Sequence, residues 1–340
     1  MSTDEQMNVW AIDAYGEPDH FRKQPATLPA PGAGEVLIRV AATSVNPVDC
    51  KIRRGERPAI APELPAVLHG DVAGVVEAVG NDVSRFAPGD EVYGMAGGLK
   101  NTAGALADFM CTDAHLLAKK PDRLTFQEAA ALPLVTITAW EGLHDRARIS
   151  ENETVLIHAG TGGVGHVAAQ LAAAIGADVT ATISSEKKAA AIQVLNPNGI
   201  RTINYRNVSV SEYVEHLTNG RGFDIVFDTV GGENLSASFE AVCRNGRVIN
   251  ILSMAEYDLT PMHLKGLSLH VVFMLLPLLT GAGRTRHGEI LTEATKLCDA
   301  GKLHPLIDSR FSFDDAGDAH RRAESGEQIG KVVLFHPDYA

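Results

Sequence analysis

Gly160-Thr161-Gly162-Gly163-Val164-Gly165 has the residue types and spacing of a G-x-G-x-x-G turn. Such a turn holds phosphate with its backbone. Gly160 permits a tight bend, Gly162 lets the main chain approach a pyrophosphate, and Gly165 lets a helix pack closely on its strand. The unpaired N–H groups at the helix start, those of Gly163 and Val164 among them, then face the anion. Further on, Ile183-Ser184-Ser185-Glu186-Lys187-Lys188 bears on the choice of nucleotide. An NAD site usually places Asp or Glu here to hold the ribose 2′-hydroxyl. Two hydroxyls and two cations suit a 2′-phosphate instead, because an ammonium pairs with it and a carboxylate repels it. Glu186 is the contrary sign, and Ser-Ser-Glu-Lys-Lys also reads as the N-cap of a solvated helix. The segment favours NADPH.

A glycine turn carries this mechanism only between a strand and a helix. Val155-Leu156-Ile157 before it reads as a buried parallel strand. After it, Val167, Ala168, Leu171, Ala172 and Ile175 fall at helical spacing, Gly176 stops the helix, and 179–183 is a second β-prone run. This is a complete βαβ unit. Downstream, strands at 201–205, 223–228, 246–251 and 267–275 alternate with helices at 209–217 and 234–243, the pattern of a doubly wound parallel sheet. Residues 9–130 read differently: short strands such as 35–40 and 74–79, separated by Gly, Pro, Asn and Asp turns, as in a small barrel or sandwich. The pattern turns helical from Phe126 to His144. The expected organisation is α/β: a β-rich first domain over 1–130, a nucleotide-binding domain over 131–279, and a tail, 280–340, that returns to the first domain. That arrangement leaves a cleft between two lobes.

The 340 residues suffice for two domains, and 45% apolar with 21% charged residues is ordinary globular usage. A net charge of -12 argues against nucleic acid or an anionic membrane as partner. Cys50, Cys111, Cys243 and Cys298 form no C-x-x-C pair, which suits free thiols in a reducing compartment. The N-terminus MSTDEQMNVW is acidic where a signal peptide is basic, and the apolar run 271–279 is about half a membrane span. The expectation is a soluble, cytoplasmic protein.

Taken together, several motifs resemble the medium-chain dehydrogenase/reductase superfamily along nearly the whole chain. They are the 46–55 segment NPVDCKIRRG, the 69–76 segment HGDVAGVV, the 89–94 segment GDEVYG, the glycine turn, the 224–232 segment DIVFDTVGG and the 330–334 segment GKVVL. Within the superfamily the chain is most similar to the zinc-free quinone oxidoreductase branch, with its zeta-crystallin-like enzymes and enone and alkenal reductases. The resemblance implies a GroES-like N-terminal domain and a Rossmann domain through which such proteins usually form homodimers.

Zinc-dependent members of the superfamily carry a catalytic cysteine, then Asp three and His five residues later. Here Asn46, Asp49 and Lys51 hold those spacings, and the family's Gly-His-Glu element reads His69-Gly70-Asp71. The four-cysteine loop of the zinc enzymes is absent. Asn and Gly cannot supply the donors of a tetrahedral zinc site, so no metal is expected, although His69 or Cys50 could improvise a ligand. Hydride addition to an enone or a quinone pushes electrons onto the carbonyl oxygen, and a cation aimed there lowers the barrier. Lys51 is the candidate electrophile, with Asn46 as a neutral donor and Asp71 or Asp49 orienting the ammonium. The alternative is that Lys51, Arg53 and Arg54 form a solvated basic turn beside Glu56. Quinone reductases of the branch often have Tyr at this position and enone reductases Lys, which tilts the reading toward α,β-unsaturated carbonyls.

By resemblance, position by position, Thr136 and Thr138 lie where the family contacts the nicotinamide phosphate side. Lys188 and Tyr205 join Ser184 and Ser185 at the 2′-phosphate. Val230, Leu252, Ser253, Phe273 and Met274 fall at strand ends near the carboxamide, and Lys331 near the bound phosphates. The apolar run 273–279 reads as a dimer-edge strand in preference to a substrate-lining flap. His69, His115 and His158 read as structural histidines. No G-x-S-x-G elbow supports a hydrolase. The expected activity is zinc-independent, NADPH-dependent hydride transfer to a quinone or an enone. The rivals are an alcohol or carbonyl dehydrogenase of the same fold, and a non-catalytic NADPH-binding structural or sensor protein.

Overall fold

A computed structural model describes residues 5–195 and 199–339. The first four residues and Ala340, which the expected domain limits take in, lie outside the described residues. The chain divides into two compact units. One comprises Met1–Leu134, Leu275–Gly301 and Ile307–Ala340; the other comprises Val135–Met274 and Lys302–Leu306.

The first unit is built on two sheets. A three-stranded sheet runs in the order Phe21–Thr27, Gln6–Ile12, Ala66–Val67. A seven-stranded sheet runs Ile307–Ser312, Lys331–Phe335, Glu35–Ser44, Asp71–Val79, Glu91–Met95, Leu117–Lys119, with Phe109–Asp113 also paired to Glu35–Ser44. Val36, Leu37, Ile38 and Val40 are fully buried. This run is enclosed on both faces instead of alternating in and out, which is why the strand reads as a continuous apolar segment. The C-terminal strand Lys331–Phe335 pairs antiparallel with Glu35–Ser44, Val333 facing Ser44. Sequence reading missed its other neighbour, Ile307–Ser312, whose half-buried DSRFS composition carries no clear β signal.

The second unit is one six-stranded parallel sheet in the order Ile200–Asn204, Asp178–Ile183, Thr154–Ile157, Phe223–Asp228, Val242–Asn250, Ser268–Val271. The strand order reverses between Thr154–Ile157 and Phe223–Asp228, the switch point at which open α/β sheets bind ligands. One layer of the core gathers Leu156, Val226 and Val248 from the sheet with Tyr213, Leu235 and Phe239 from the helices Val210–Thr218 and Asn234–Ala241.

Two expectations need correction. The β-prone segment 267–275 is a strand only over Ser268–Val271, and the run expected as an edge strand, 273–279, is not one. Leu276–Thr280 is a short helix with Pro277 in its first turn. Proline has no N–H to give a ladder, and its fixed φ suits a helix start, so composition alone misled the strand assignment. The region after Pro133 is helical as expected, but Pro133–Trp140 continues into a π-helix over Glu141–Arg146.

Candidate functional site

In the first unit, Asn46 caps the short helix Pro47–Arg53. Its backbone N–H donates to Asp49 Oδ2 at 2.7 Å in a capping box, and Pro47 starts the helix at a favoured position. The cap brings the three spaced residues to one helix, but their surroundings differ. Asn46 and Asp49 are 1% exposed and Asp71 is fully buried. Asp71 opens the strand Asp71–Val79, and its carboxylate is saturated. Oδ2 accepts from Ser44 Oγ at 2.7 Å and Asn46 Nδ2 at 2.8 Å, and Oδ1 accepts from the Leu134 N–H at 2.8 Å. The Lys331 ammonium, 3.6 Å from Asp71 Oδ2, donates to the Val45 carbonyl at 3.0 Å and to Asn46 Oδ1.

Burial, with the nearby Asp71 charge adding to it, pushes the Asp49 carboxyl up to about 7. Burial lowers the Lys331 ammonium, opposed by Asp71 and Asp49. Lys51 is partly exposed, with no ion pair or hydrogen bond to its ammonium among the described residues. Its pKa is lowered, first by partial desolvation and then by the Arg57 charge. The structure therefore brings Asn46, Asp49 and Asp71 together, with Lys331 at their centre, and leaves Lys51 outside that network.

A second buried network supports the first. Arg53 Nε, an obligatory donor, faces His320 Nδ1 at 3.3 Å, so His320 carries its proton on Nε2. That proton goes to His69 Nε2, 2.9 Å away, which leaves the His69 proton on Nδ1, facing Thr43 Oγ1 at 3.4 Å. Thr43 in turn donates to the Asp71 carbonyl at 2.5 Å. Both imidazoles are held neutral by burial, His69 down to about 3 and His320 well below its ordinary range. His69 stands at φ +73°, and this chain of donors holds it there. Arg53, read from sequence as part of a basic turn, is buried and pairs with Glu324 at 2.6 Å. His320, Arg53 and Ser44 are the site residues that sequence reading missed. They lie far apart in the chain, or carry no motif, and only the fold joins them.

In the second unit the glycine turn links Thr154–Ile157 to the helix Gly163–Ile175. Gly162 is its N-cap, and Gly176 ends it at φ +94°. A Cβ on Gly160 would lie 2.5 Å from the Ala181 Cβ, and one on Gly165 would strike the Ala159 carbonyl oxygen. The turn thus has the close strand and helix approach that the motif requires, and it leaves the first-turn N–H groups of Gly163, Val164 and Gly165 without helical partners. These residues fit a dinucleotide phosphate. At the end of the next strand, Ser185 Oγ accepts from the Lys188 N–H at 3.4 Å, so its capping role is present. Ser184 and Lys188 are half-buried, Tyr205 is 52% exposed, and the Tyr205 N–H donates to the Ile183 carbonyl at 3.2 Å. The turn from Ile183 to Ser185 therefore carries two hydroxyls and is bonded to the Lys188 and Tyr205 backbones, and the next carboxylate along the chain is Glu186.

Asp228 organises the other strand ends. Its Oδ1 accepts from the Val230 and Gly231 N–H groups and from Asn234 Nδ2, and its Oδ2 from Asn250 Nδ2 at 3.0 Å. Asn250 Oδ1 accepts from the Leu252 N–H at 2.9 Å. Val230, Leu252 and Phe273 are exposed at these ends, Ser253 is half-buried, and Met274 is 4% exposed and belongs to the core. Thr136 and Thr138 are buried in the helix Pro133–Trp140, and Thr136 Oγ1 has no hydrogen-bond partner among the described residues. His158, 4% exposed, likewise leaves Nε2 without a partner among the described residues, and burial takes it down to about 4.

Residues 32–122 match the alcohol dehydrogenase GroES-like domain, and residues 200–334 match the zinc-binding dehydrogenase family. Among the described residues no group of three or more His, Cys, Asp and Glu is placed to hold a metal ion. The chain is 34% identical over 346 residues to the 2-methylene-furan-3-one reductase of Solanum lycopersicum, covering 99% of this chain and 81% of that protein. It spans only 14% of a mycobacterial phthioceranic/hydroxyphthioceranic acid synthase that it matches at 35% identity. Among solved structures, an alcohol dehydrogenase superfamily protein from Novosphingobium aromaticivorans superimposes with a TM-score of 0.91 at 40% identity, covering 97% of this chain and 99% of that one. The quinone oxidoreductase of Pseudomonas syringae gives 0.85 at 28% identity, with 97% and 99% covered. With both domain families matched, a reductase relative aligned over 99% of this chain and an amide in place of the metal-binding thiolate, the chain belongs to the medium-chain dehydrogenase/reductase superfamily, in its zinc-free quinone oxidoreductase and enone reductase branch.

Proposed function

We propose that this oxidoreductase uses NADPH to reduce an α,β-unsaturated carbonyl compound or a quinone without a metal. The observation that carries the reading is the occupied former ligand position: Asn46 stands at the thiolate spacing with its amide already bonded to Asp71 and Lys331. An amide so engaged is a neutral oxygen held against an ammonium, not the thiolate or imidazole donor that a tetrahedral zinc site requires. The bound nicotinamide supplies the hydride. Gly163, Val164 and Gly165 would hold the phosphates through main-chain N–H groups, while Gly160 and Gly162, whose own N–H groups donate to the Thr182 and Ala159 carbonyls, shape the turn. Ser184, Ser185, Lys188 and Tyr205 favour a 2′-phosphate, since no carboxylate precedes Glu186 to repel it.

As hydride reaches the acceptor, negative charge grows on the carbonyl oxygen. The chain's answer is Lys51, whose unpaired and partly desolvated ammonium is free to donate there. Asn46 and Asp49, held by their own network, position the helix that carries it. The 2-methylene-furan-3-one reductase relative supports an activated alkene as acceptor, and the quinone oxidoreductase neighbour supports a quinone. A homodimer is proposed through the uncapped edge strand Ser268–Val271, where Val271 is 46% exposed.

The test is oxidation of NADPH against NADH with a panel of quinones, enals and enones, wild type beside Lys51→Met. NADPH is expected to be preferred. The variant should lose about 100-fold in kcat/KM, the scale of removing one oxyanion donor. Unchanged kcat/KM for every acceptor removes Lys51 from the mechanism. Tight NADPH binding with no turnover on any acceptor favours the sensor or structural reading.

A further inference from the structure

A buried ammonium is the least expected group in the first unit. Lys331 opens the C-terminal strand Lys331–Phe335, is 3% exposed, and is spent entirely on the pocket: Val45 O, Asn46 Oδ1 and the Asp71 carboxylate. Resemblance expects this lysine at the bound phosphates. Its position gives it different work, because an isolated carboxylate as buried as Asp71 is costly and Lys331 is the cation that compensates it. The other titratable groups facing the pair are Asp49 and Cys50 from the helix Pro47–Arg53 and neutral His69 from the loop before Asp71. None of these supplies a second cation.

We propose that Lys331 is a positioning residue that serves as the fixed cation of the former metal pocket. It sits on the side chain that holds the thiolate's spacing and does two things there. It turns the Asn46 amide so that Oδ1 faces the ammonium and Nδ2 faces Asp71. It also compensates the Asp71 carboxylate and keeps it in place, so that Asp71 Oδ1 can hold the Leu134 N–H at the start of the helix carrying Thr136 and Thr138. On the metal-free reading, the pocket at the thiolate spacing thereby keeps a fixed cation, supplied by the chain's own C-terminal strand.

The catalytic part of the test rests on the reductase reading, whereas the folding part does not. Lys331→Met, Lys331→Arg, Asp71→Asn and the double variant Lys331→Met/Asp71→Asn are compared with wild type. Lys331→Met is expected to lower kcat about 100-fold, as small displacements of a reacting geometry do, while KM for NADPH moves less than about threefold. Lys331→Arg should keep kcat within about tenfold of wild type. The double variant should recover about tenfold over Lys331→Met, because an uncharged amide at position 71 needs no cation and Asn46 can turn its own amide to pair with it. Urea unfolding of the apoproteins should show the same non-additivity: Asp71→Asn lowers the midpoint in wild type but not in the Lys331→Met background. A Lys331→Met variant with wild-type kcat and a raised KM for NADPH would make Lys331 a phosphate grip and overturn the proposal. Additive unfolding effects would overturn it as well, even if no acceptor turns over.

Discussion

Asp49 shows how burial changes what a residue does. In the sequence it stands three positions after Asn46, as a candidate to orient Lys51. In the structure its carboxylate is committed to the Asn46 N–H and lifted from an ordinary 3.8 to about 7. A carboxyl whose folded pKa is raised binds its proton more tightly folded than unfolded. Its contribution to stability is therefore full below about pH 4 and is lost as pH rises toward 7. Asp49→Asn keeps a side-chain oxygen for the cap but cannot ionise. Its stability relative to wild type should rise between about pH 4 and pH 7 and level off above. The rise should be a few kcal/mol at most, since each tenfold change in proton affinity is worth about 1.4 kcal/mol. Denaturant midpoints across that range check this; a pH-independent difference contradicts it. Spacing alone identified Asn46, Asp49 and Lys51 but could not distinguish the partly exposed Lys51 from its two buried neighbours, because exposure is set by strands far along the chain.

The glycine turn and its helix are the element the sequence described most fully. Strand, turn, helix and Gly176 stop all fall within a residue or two of their expected places, since each is fixed by local chemistry. The strain hidden in the turn was less visible: a Cβ on Gly165 meets the Ala159 carbonyl, which is backbone and cannot move aside cheaply. Gly165→Ala should therefore cost about 1–3 kcal/mol of stability, as overpacking does. It should also weaken NADPH binding at least tenfold, about 1.4 kcal/mol, by displacing the phosphate-facing N–H groups. Thermal unfolding and NADPH fluorescence titration read the two effects separately. Unchanged affinity would mean that the turn does not hold the phosphates. The apolar run 273–279 is the opposite case. Its composition suits a strand, and only Pro277 marks the helix start that the fold adopts.

At the scale of the molecule, the order of motifs along the chain was enough to assign a GroES-like unit and a Rossmann unit, and the sheets confirm that class. The sequence could not reveal how the C-terminal strand completes the first unit. Lys331 reads as a phosphate contact in a familiar motif, yet strand pairing with Glu35–Ser44 carries its ammonium into the Asn46 pocket. The same is true of His320 and Arg53, whose partnership spans most of the chain. Long-range antiparallel pairing leaves no local periodicity to read. The consequence for function is specific: on the proposed reading conjugate reduction relies on Lys51, outside this pocket, and the pocket itself offers an amide where zinc-assisted carbonyl reduction requires a thiolate.

The most direct measurement of that claim follows the hydride. NADPH carrying deuterium at the transferred C4 position is incubated with the protein and an α,β-unsaturated ketone, with and without a strong zinc chelator, and the product is analysed by NMR. The account predicts a saturated ketone with deuterium on the β-carbon, a solvent-derived proton on the α-carbon, and the same rate in chelator. An allylic alcohol labelled at the carbinol carbon, formed at a rate that collapses on chelation, would contradict it.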